Sequence, residues 1–329
     1  LSKVVPVEKT IELFKDGMNL GWSGFTPAGY PKAVPIALAE HVEKNNLQGK
    51  LRFNLFIGAS VGAETENRWA QNNMIDRRWP YQTGKDIAAG INAGRIRMGD
   101  KHLSLFAQDV GYGFYTKDSP SGKLDLAIIE VSAITEDGGL VPTASCGIIP
   151  EILMVCDKVI IEVNTAMPSF EGMHDIVVQS PPPNREILPI TAANSRVGTP
   201  YVPCDPSKII AIVESQYTDK GRVLADADDG SVAIAGHLME FFAAEVKAGR
   251  LPKNLLPLQS GVGSIANAVV GGLANGPFYH LSVYTEVLHD GMLDLFDSGR
   301  LDFASSCSLS LSENAGFPRF NAKRDFYAP

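Results

Sequence analysis

Gln259-Ser260-Gly261-Val262-Gly263-Ser264-Ile265-Ala266-Asn267, followed shortly by Tyr284-Thr285-Glu286-Val287, is the stretch whose reading decides the fold. Leu255 to Gln259 reads as a short apolar strand, Gly261 and Gly263 let the backbone turn where side chains would obstruct it, and Ser264 to Leu273 reads as a helix. Free amides at such a turn can hold a phosphate, a carboxylate or the oxyanion that develops when a thioester is attacked. Phe278 to Val287 reads as the next strand, with Glu286 at its carboxyl end, where α/β sites gather. A glycine turn coupled to a nearby glutamate points to covalent acyl chemistry on a carboxylate.

Composition sets the frame around that stretch. A chain of 329 residues with 45% hydrophobic and 20% charged content reads as globular, in roughly two domains. Its 31 glycines and 21 prolines punctuate short β-branched runs, as α/β proteins require. The formal net charge of -8 and the absence of any basic cluster larger than Arg77-Arg78 or Lys323-Arg324 argue against nucleic acid as a partner. Cys146, Cys156, Cys204 and Cys307 lack CxxC spacing and are expected as reduced, mostly buried thiols, with Cys307 in the core. The six histidines show no metal-ligand spacing, so no metal site is expected. No apolar run reaches the length of a membrane span, because Pro150, Glu151, Asp157 and Lys158 break the longest, Ile148 to Ile161. The reading is of a soluble protein with no membrane partner. The chain begins at Leu1 without an initiator methionine, so any targeting peptide is expected to be missing already.

Along the chain, strand-like runs at Leu51 to Ile57, Leu103 to Phe106, Leu124 to Ile134, Leu140 to Pro142, Lys158 to Val163 and Ile209 to Val213 alternate with helical ones such as Pro150 to Met154. Near-continuous apolar runs such as Leu126-Ala127-Ile128-Ile129-Glu130-Val131 fit strands covered on both faces. The expected fold is therefore α/β, with two open, mainly parallel-sheet domains. Met167 to Thr199 reads as a long irregular insertion. The polar stretch Asp219-Lys220-Gly221 to Asp226-Ala227-Asp228-Asp229-Gly230 sets the boundary, giving an N-terminal domain at 1–218 and the first part of a C-terminal domain at 219–329. The second starts with an amphipathic helix, Ser231 to Ala248, whose apolar face is Ile234, Leu238, Phe241, Phe242 and Val246. It continues through the glycine turn, a helix at Met292 to Phe296 and a strand at Phe303 to Leu311, too few strands for a complete sheet.

Taken alone, Gly261-x-Gly263 serves many strand-to-helix turns for geometry only, and a glutamate at a strand end is most often a salt-bridged rim residue. No third spaced glycine and no Lys-Ser/Thr follows, which argues against both the dinucleotide fingerprint and the nucleotide P-loop. Glu64, Glu66 and Arg68 read as a charged, solvated helix face, with Arg68 open to a carboxylate substrate. Ser305-Ser306-Cys307-Ser308 lacks a GxSxG elbow.

Five segments together carry a resemblance. Gly21-Trp22-Ser23-Gly24-Phe25-Thr26-Pro27-Ala28-Gly29-Tyr30-Pro31-Lys32, Gly58-Ala59-Ser60, Gly261 to Val269, Tyr284 to Val287 and Ser305 to Ser308 resemble, in that order, the acetyl-CoA hydrolase and acetate CoA-transferase family, one of the family I coenzyme A transferases. Within it the chain looks most like the fungal mitochondrial member. The resemblance implies two CoA-transferase domains, the second incomplete, since members continue beyond Pro329 into a second glycine turn that completes the oxyanion hole. It implies Glu286 as the nucleophile that forms a glutamyl-CoA thioester and Gly261, Val262, Gly263, Ser264 and Ile265 as the CoA-binding turn, with the Val262 amide as oxyanion donor. Gly24 and Phe25 are expected against the acyl group, with Trp22 and Phe25 excluding water, although a buried βα turn explains them equally well.

The expected activity is transfer of CoA from an acyl-CoA such as succinyl-CoA to acetate. The alternative is an acetyl-CoA hydrolase, in which water takes the same acyl-enzyme, and a third reading is a CoA-binding fragment without turnover. The partners so implied are acyl-CoA and small carboxylates, with coenzyme A as substrate, no tightly bound cofactor, a homodimer as the assembly allowed, and the mitochondrial matrix as location, the cytoplasm being the alternative. A chain ending at Pro329 is expected to turn over poorly, because losing one oxyanion donor alone costs on the order of a hundredfold to a thousandfold.

Overall fold

The computed structural model describes residues 2–59, 62–117, 122–221 and 227–328. Leu1, Ser60, Asp226 and Pro329, each touched by the sequence reading, lie outside the described residues. The chain divides into two compact units, Leu1–Ile187 with Gly198–Asp219, and Leu188–Val197 with Lys220–Pro329.

The first unit is a three-layer α/β domain. Its strands are β1 (Asn19–Trp22), β2 (Phe53–Ile57), β3 (Ile75–Trp79), β4 (Arg97–Met98), β5 (Leu126–Ile134), β6 (Leu140–Pro142), β7 (Val159–Asn164) and β8 (Ile209–Ser215). Its helices are α1 (Ala33–Lys44), α2 (Arg68–Gln71), α3 (Lys85–Asn92), α4 (Leu103–Gly111) and α5 (Ile149–Val155). The sheet order is β4-β3-β2-β1-β5-β7-β8, parallel throughout, with β6 pairing antiparallel to β5. The alternation of β2 explains the layers: Leu55 and Ile57 enter a core with Leu38 and Val42 of α1, whereas Phe56 enters the opposite core with Phe106 of α4 and Ile152 of α5. The chain runs outward from β1 to β4, then returns to β5 on the other side. The β1–β5 junction is therefore the topological switch point.

One expectation fails here. Leu103 to Phe106 is the first turn of α4 rather than a strand, because Phe106 and Val110, four residues apart, bury one helical face. Of the two readings of Trp22, the packed βα turn is the one its burial supports. It is 1% exposed and packs edge-on against Trp69 at 5.3 Å in the core.

The second unit contains α6 (Asp229–Lys247), α7 (Ser264–Asn275), β9 (Leu281–Leu288), α8 (Asp290–Asp297), β10 (Leu301–Leu309), α9 (Gly316–Ala322) and α10 (Arg324–Tyr327). Asp228 caps α6 by accepting from the Ser231 amide at 2.7 Å, and Gly249 ends it with φ 72°. Only Ser231 and Ala235 of α6 are buried, so Ile234 and Phe241, expected on a core face, are 48% and 54% exposed. β9 and β10 pair in parallel. The strand expected at Leu255 to Gln259 does not form: Leu255 and Leu256 take φ of 60° and 65°, outside the extended region, and only Leu258 bridges to Val283.

Candidate active site

The sequence-predicted site residues fall into both units: Gly24 and Phe25 belong to the first, Glu286 and the glycine turn to the second.

In the second unit, Leu258 donates to Ser282 O and accepts from the Tyr284 amide, both at 2.9 Å, so the segment entering the turn runs alongside β9. One residue before Glu286, the buried Thr285 hydroxyl donates to Ser260 O at 2.8 Å and accepts from the Ser260 amide at 3.3 Å. This double contact ties the turn to the strand that carries the glutamate. Gly263 then caps α7 with φ 128° and ψ 176°, a conformation that glycine tolerates and side chains do not, and α7 has no side-chain cap. Space beside Gly261 and Gly263 is open for at least 4 Å from where a Cβ would stand. Val262 and Ile265 expose 59% and 49% of their surface beside it. Glu286 is exposed on the open face of β9, and the parallel register, which sets Thr285 beside Ser306 and Val287 beside Ser308, places Cys307 next to it. Cys307 is thus exposed rather than core, as the strand alternation requires. Its thiol is pushed up by crowding and then by the Glu286 carboxylate.

In the first unit, Gly24 takes φ 107° and is buried; a Cβ on Gly147 would meet its carbonyl oxygen at 2.5 Å, and one on Gly58 at 2.8 Å. The glycines of this loop thus allow backbone to pack on backbone. The turn ends in a polar cluster that sequence reasoning missed. Glu162 of β7 accepts from the amides of Lys32, Ala33 and Val34 at 2.8, 3.0 and 2.7 Å, filling the amino end of α1 where a ligand phosphate would otherwise sit. The Lys32 ammonium, wholly buried, reaches Glu130 of β5 at 2.7 Å, Asp219 at 2.6 Å and Tyr30 O at 2.8 Å. Thr143 and Asn164 donate to Glu130, and the Gly29 amide donates to Asp219.

One cation shared by two carboxylates sets the charges of this cluster. Burial works to lower Lys32, but Asp219 and Glu130 outweigh it and hold the ammonium above its ordinary range. Burial, helped by Asp219 and Glu162 and opposed by Lys32, pushes Glu130 up to about 7. A signal was legible for two members: Glu130 and Glu162 interrupt apolar runs of strands buried on both faces, and a carboxylate there must find partners. Nor are Glu64, Glu66 and Arg68 a solvated face. Glu66 is buried against Arg78 at 3.0 Å, Glu64 accepts from Tyr30 at 2.6 Å, and Arg68 grips Glu43 at 2.6 Å. A groove of about 620 Å³ bordered by Glu8, Glu40 and Glu214 would repel a polyanion and includes none of the predicted residues. Among the described residues no group of three His, Cys, Asp or Glu side chains could hold a metal, and no helix is long and apolar enough to cross a membrane.

Comparison with known proteins places this geometry. The family model for the acetyl-CoA hydrolase/transferase N-terminal domain matches residues 1–214. An acetyl-CoA hydrolase of Schizosaccharomyces pombe is 56% identical over 97% of this chain and 61% of its own length. One of Saccharomyces cerevisiae is 58% identical over 97% of this chain and 60% of its own. The chain thus spans about three fifths of the length of the curated relatives it matches. Among solved structures, RipA from Yersinia pestis superposes with a TM-score of 0.62 at 18% identity, covering 96% of this chain and 67% of that one. A 4-hydroxybutyrate CoA-transferase from Porphyromonas gingivalis gives 0.57 at 17% identity, covering 97% and 65%. These two likenesses speak for the fold alone. A family match over most of the chain, on a parallel sheet of this topology, shows that the chain belongs to the acetyl-CoA hydrolase/transferase family.

Proposed function

We propose that this chain carries the acyl-CoA chemistry of its family with Glu286 as the nucleophile. The observation that carries the reading is the pinning of the open Gly261–Gly263 turn to β9 by Thr285, one residue from an exposed glutamate. The Glu286 carboxylate attacks the thioester carbonyl, and collapse gives a mixed anhydride and the CoA thiolate. The thiolate then attacks the glutamyl carbonyl of the anhydride, releasing the first carboxylate and leaving a glutamyl-CoA thioester. An incoming carboxylate such as acetate reverses both steps and departs as the new acyl-CoA. Each tetrahedral intermediate bears an oxyanion, for which the Val262 amide and the uncapped amides that open α7 are donors.

The second reading, hydrolysis, is favoured by the relatives at 56–58% identity, which are acetyl-CoA hydrolases. In that case water attacks the glutamyl thioester, giving free CoA and regenerating the carboxylate. The balance is set by how well the closed site excludes water.

The test incubates the full-length protein with acetyl-CoA or succinyl-CoA, reduces with borohydride and maps the modified peptide. A reduced Glu286, absent in Glu286→Gln, is expected; a label on another residue refutes the assignment. Free CoA released with and without acetate then separates the two activities.

A further inference from the structure

Beyond Glu286, β9 runs through Leu288 to His289, which is 1% exposed and forms the N-cap of α8. The strand exit is tied to its neighbour, because Leu288 O accepts from the Ser310 amide at 2.8 Å and the Asp290 carboxylate accepts from the Ser312 amide at 2.9 Å. The cap itself is a single contact, the Gly291 amide donating to His289 Nδ1 at 3.3 Å. A backbone amide only donates, so Nδ1 presents its lone pair and the neutral ring carries its hydrogen on Nε2. Nε2 is buried and has no hydrogen-bond partner among the described residues. A second proton has one place to go, Nδ1, where it turns the acceptor into a donor facing another donor. The cap is then lost.

We propose that His289 is a positioning residue for Glu286: its neutral form caps the start of α8 where β9 ends, and protonation at Nδ1 releases that cap, so activity falls on the acid side with the titration of this ring. The proposal rests on the reading of Glu286 as nucleophile. Strand alternation puts His289 on the face opposite Glu286, with Thr285, so it acts through the backbone rather than on substrate. The two buried side chains bracket the glutamate, Thr285 fixing the glycine turn and His289 capping the helix that follows the strand. The charged groups acting on the ring are Asp290 and Asp294 of α8; Arg319 of α9 pairs with Asp294 at 2.7 Å, and α7 presents the apolar Val270 to the same corner. Burial lowers the ring below its ordinary value, and the two aspartates act against it. Neutral His289 is thus favoured in the fold. Its contribution is present above the ordinary imidazole value of about 6.5 and is lost as pH falls through the lower folded value.

The experiment uses the full-length protein with isotope-labelled histidine. Long-range proton–nitrogen correlation spectra, with His289 assigned by its loss in His289→Asn, should show the Nε2–H tautomer and a midpoint below about 6.5. Protection of the Gly291 amide, its exchange rate relative to that of an unprotected amide at the same pH, should fall with the same midpoint. His289→Asn, which caps without titrating, should keep kcat within about twofold at about pH 8 and move the acid limb to lower pH. His289→Ala, which cannot cap, should lower kcat by up to about fivefold, the equilibrium shift that a lost cap worth about 1 kcal/mol produces. An Nδ1–H tautomer, or an acid limb unchanged in His289→Asn, overturns the proposal while leaving Glu286 as the labelled residue. A borohydride label on another residue overturns the nucleophile itself, and with it this role.

Discussion

Replacing Lys32 by methionine isolates the cluster that holds the β1–β5 junction of the first unit. Methionine keeps much of the apolar stem, so packing is conserved while the cation that contacts Glu130 at 2.7 Å and Asp219 at 2.6 Å disappears. Both carboxylates remain within 1% of complete burial. Removing one partner of a buried pair costs about 3–5 kcal/mol, because the charge left behind is neither solvated nor paired. With a urea slope of about 2 kcal/mol per M, the unfolding midpoint should fall by about 2 M. The assay is selective, since the three tryptophans, Trp22, Trp69 and Trp79, all lie in the first unit and their fluorescence reports it alone. The loss should also depend on pH. Burial and Asp219 already push Glu130 up to about 7, and without Lys32 only the hydrogen bonds from Thr143 and Asn164 oppose them. A carboxylate raised in the folded state contributes stability that is present at low pH and lost as pH rises through its folded value. Lys32→Met should therefore be hurt less at about pH 5 than at about pH 8. Adding Glu130→Gln and Asp219→Asn should restore at least half of the loss, because the stranded charges go with their partner. A midpoint shift below about 0.5 M, or one equal at both pH values, would refute the picture of two carboxylates sharing one buried cation.

The two turn glycines should behave differently: Gly261, outside the left-handed region and with open space beside it, should accept alanine with little loss of stability, whereas Gly263→Ala should destabilise by roughly 1–3 kcal/mol because of its φ of 128°. Calorimetry on Gly261→Ala in the full-length protein should still register acyl-CoA binding weakened by about tenfold, roughly one lost hydrogen bond, and an unchanged affinity would remove the turn from the ligand site. Cys307, whose thiol is raised by crowding and then by Glu286, should react roughly twofold to fivefold faster with a disulfide reagent at about pH 8 in Glu286→Gln; an unchanged rate at the mapped cysteine would separate the two side chains.

What the amino-acid order alone determined is what depends on near neighbours in the chain. The continuous apolar run Leu126 to Val131 announces a strand covered on both faces, and the period of Ser231 to Ala248 announces α6. The paired glycines before Ser264 announce a turn into a helix, and the run Phe278 to Val287 announces a strand with Glu286 at its carboxyl end. Each is a matter of period, cap or backbone freedom within a dozen residues. The tertiary structure decided whatever needed a partner from elsewhere. Leu103 to Phe106 is as apolar as a strand, and only packing with α5 makes it the start of a helix. Cys307 looked like core until the β9–β10 register set it on the open face beside Glu286. Glu66, Arg78, Lys32 and Asp219 carry surface residue types, yet the fold buries all four, because each finds its counter-charge in a segment that sequence distance hides. Burial of a charge is settled by pairing, and pairing across the chain exists only once the sheet has formed.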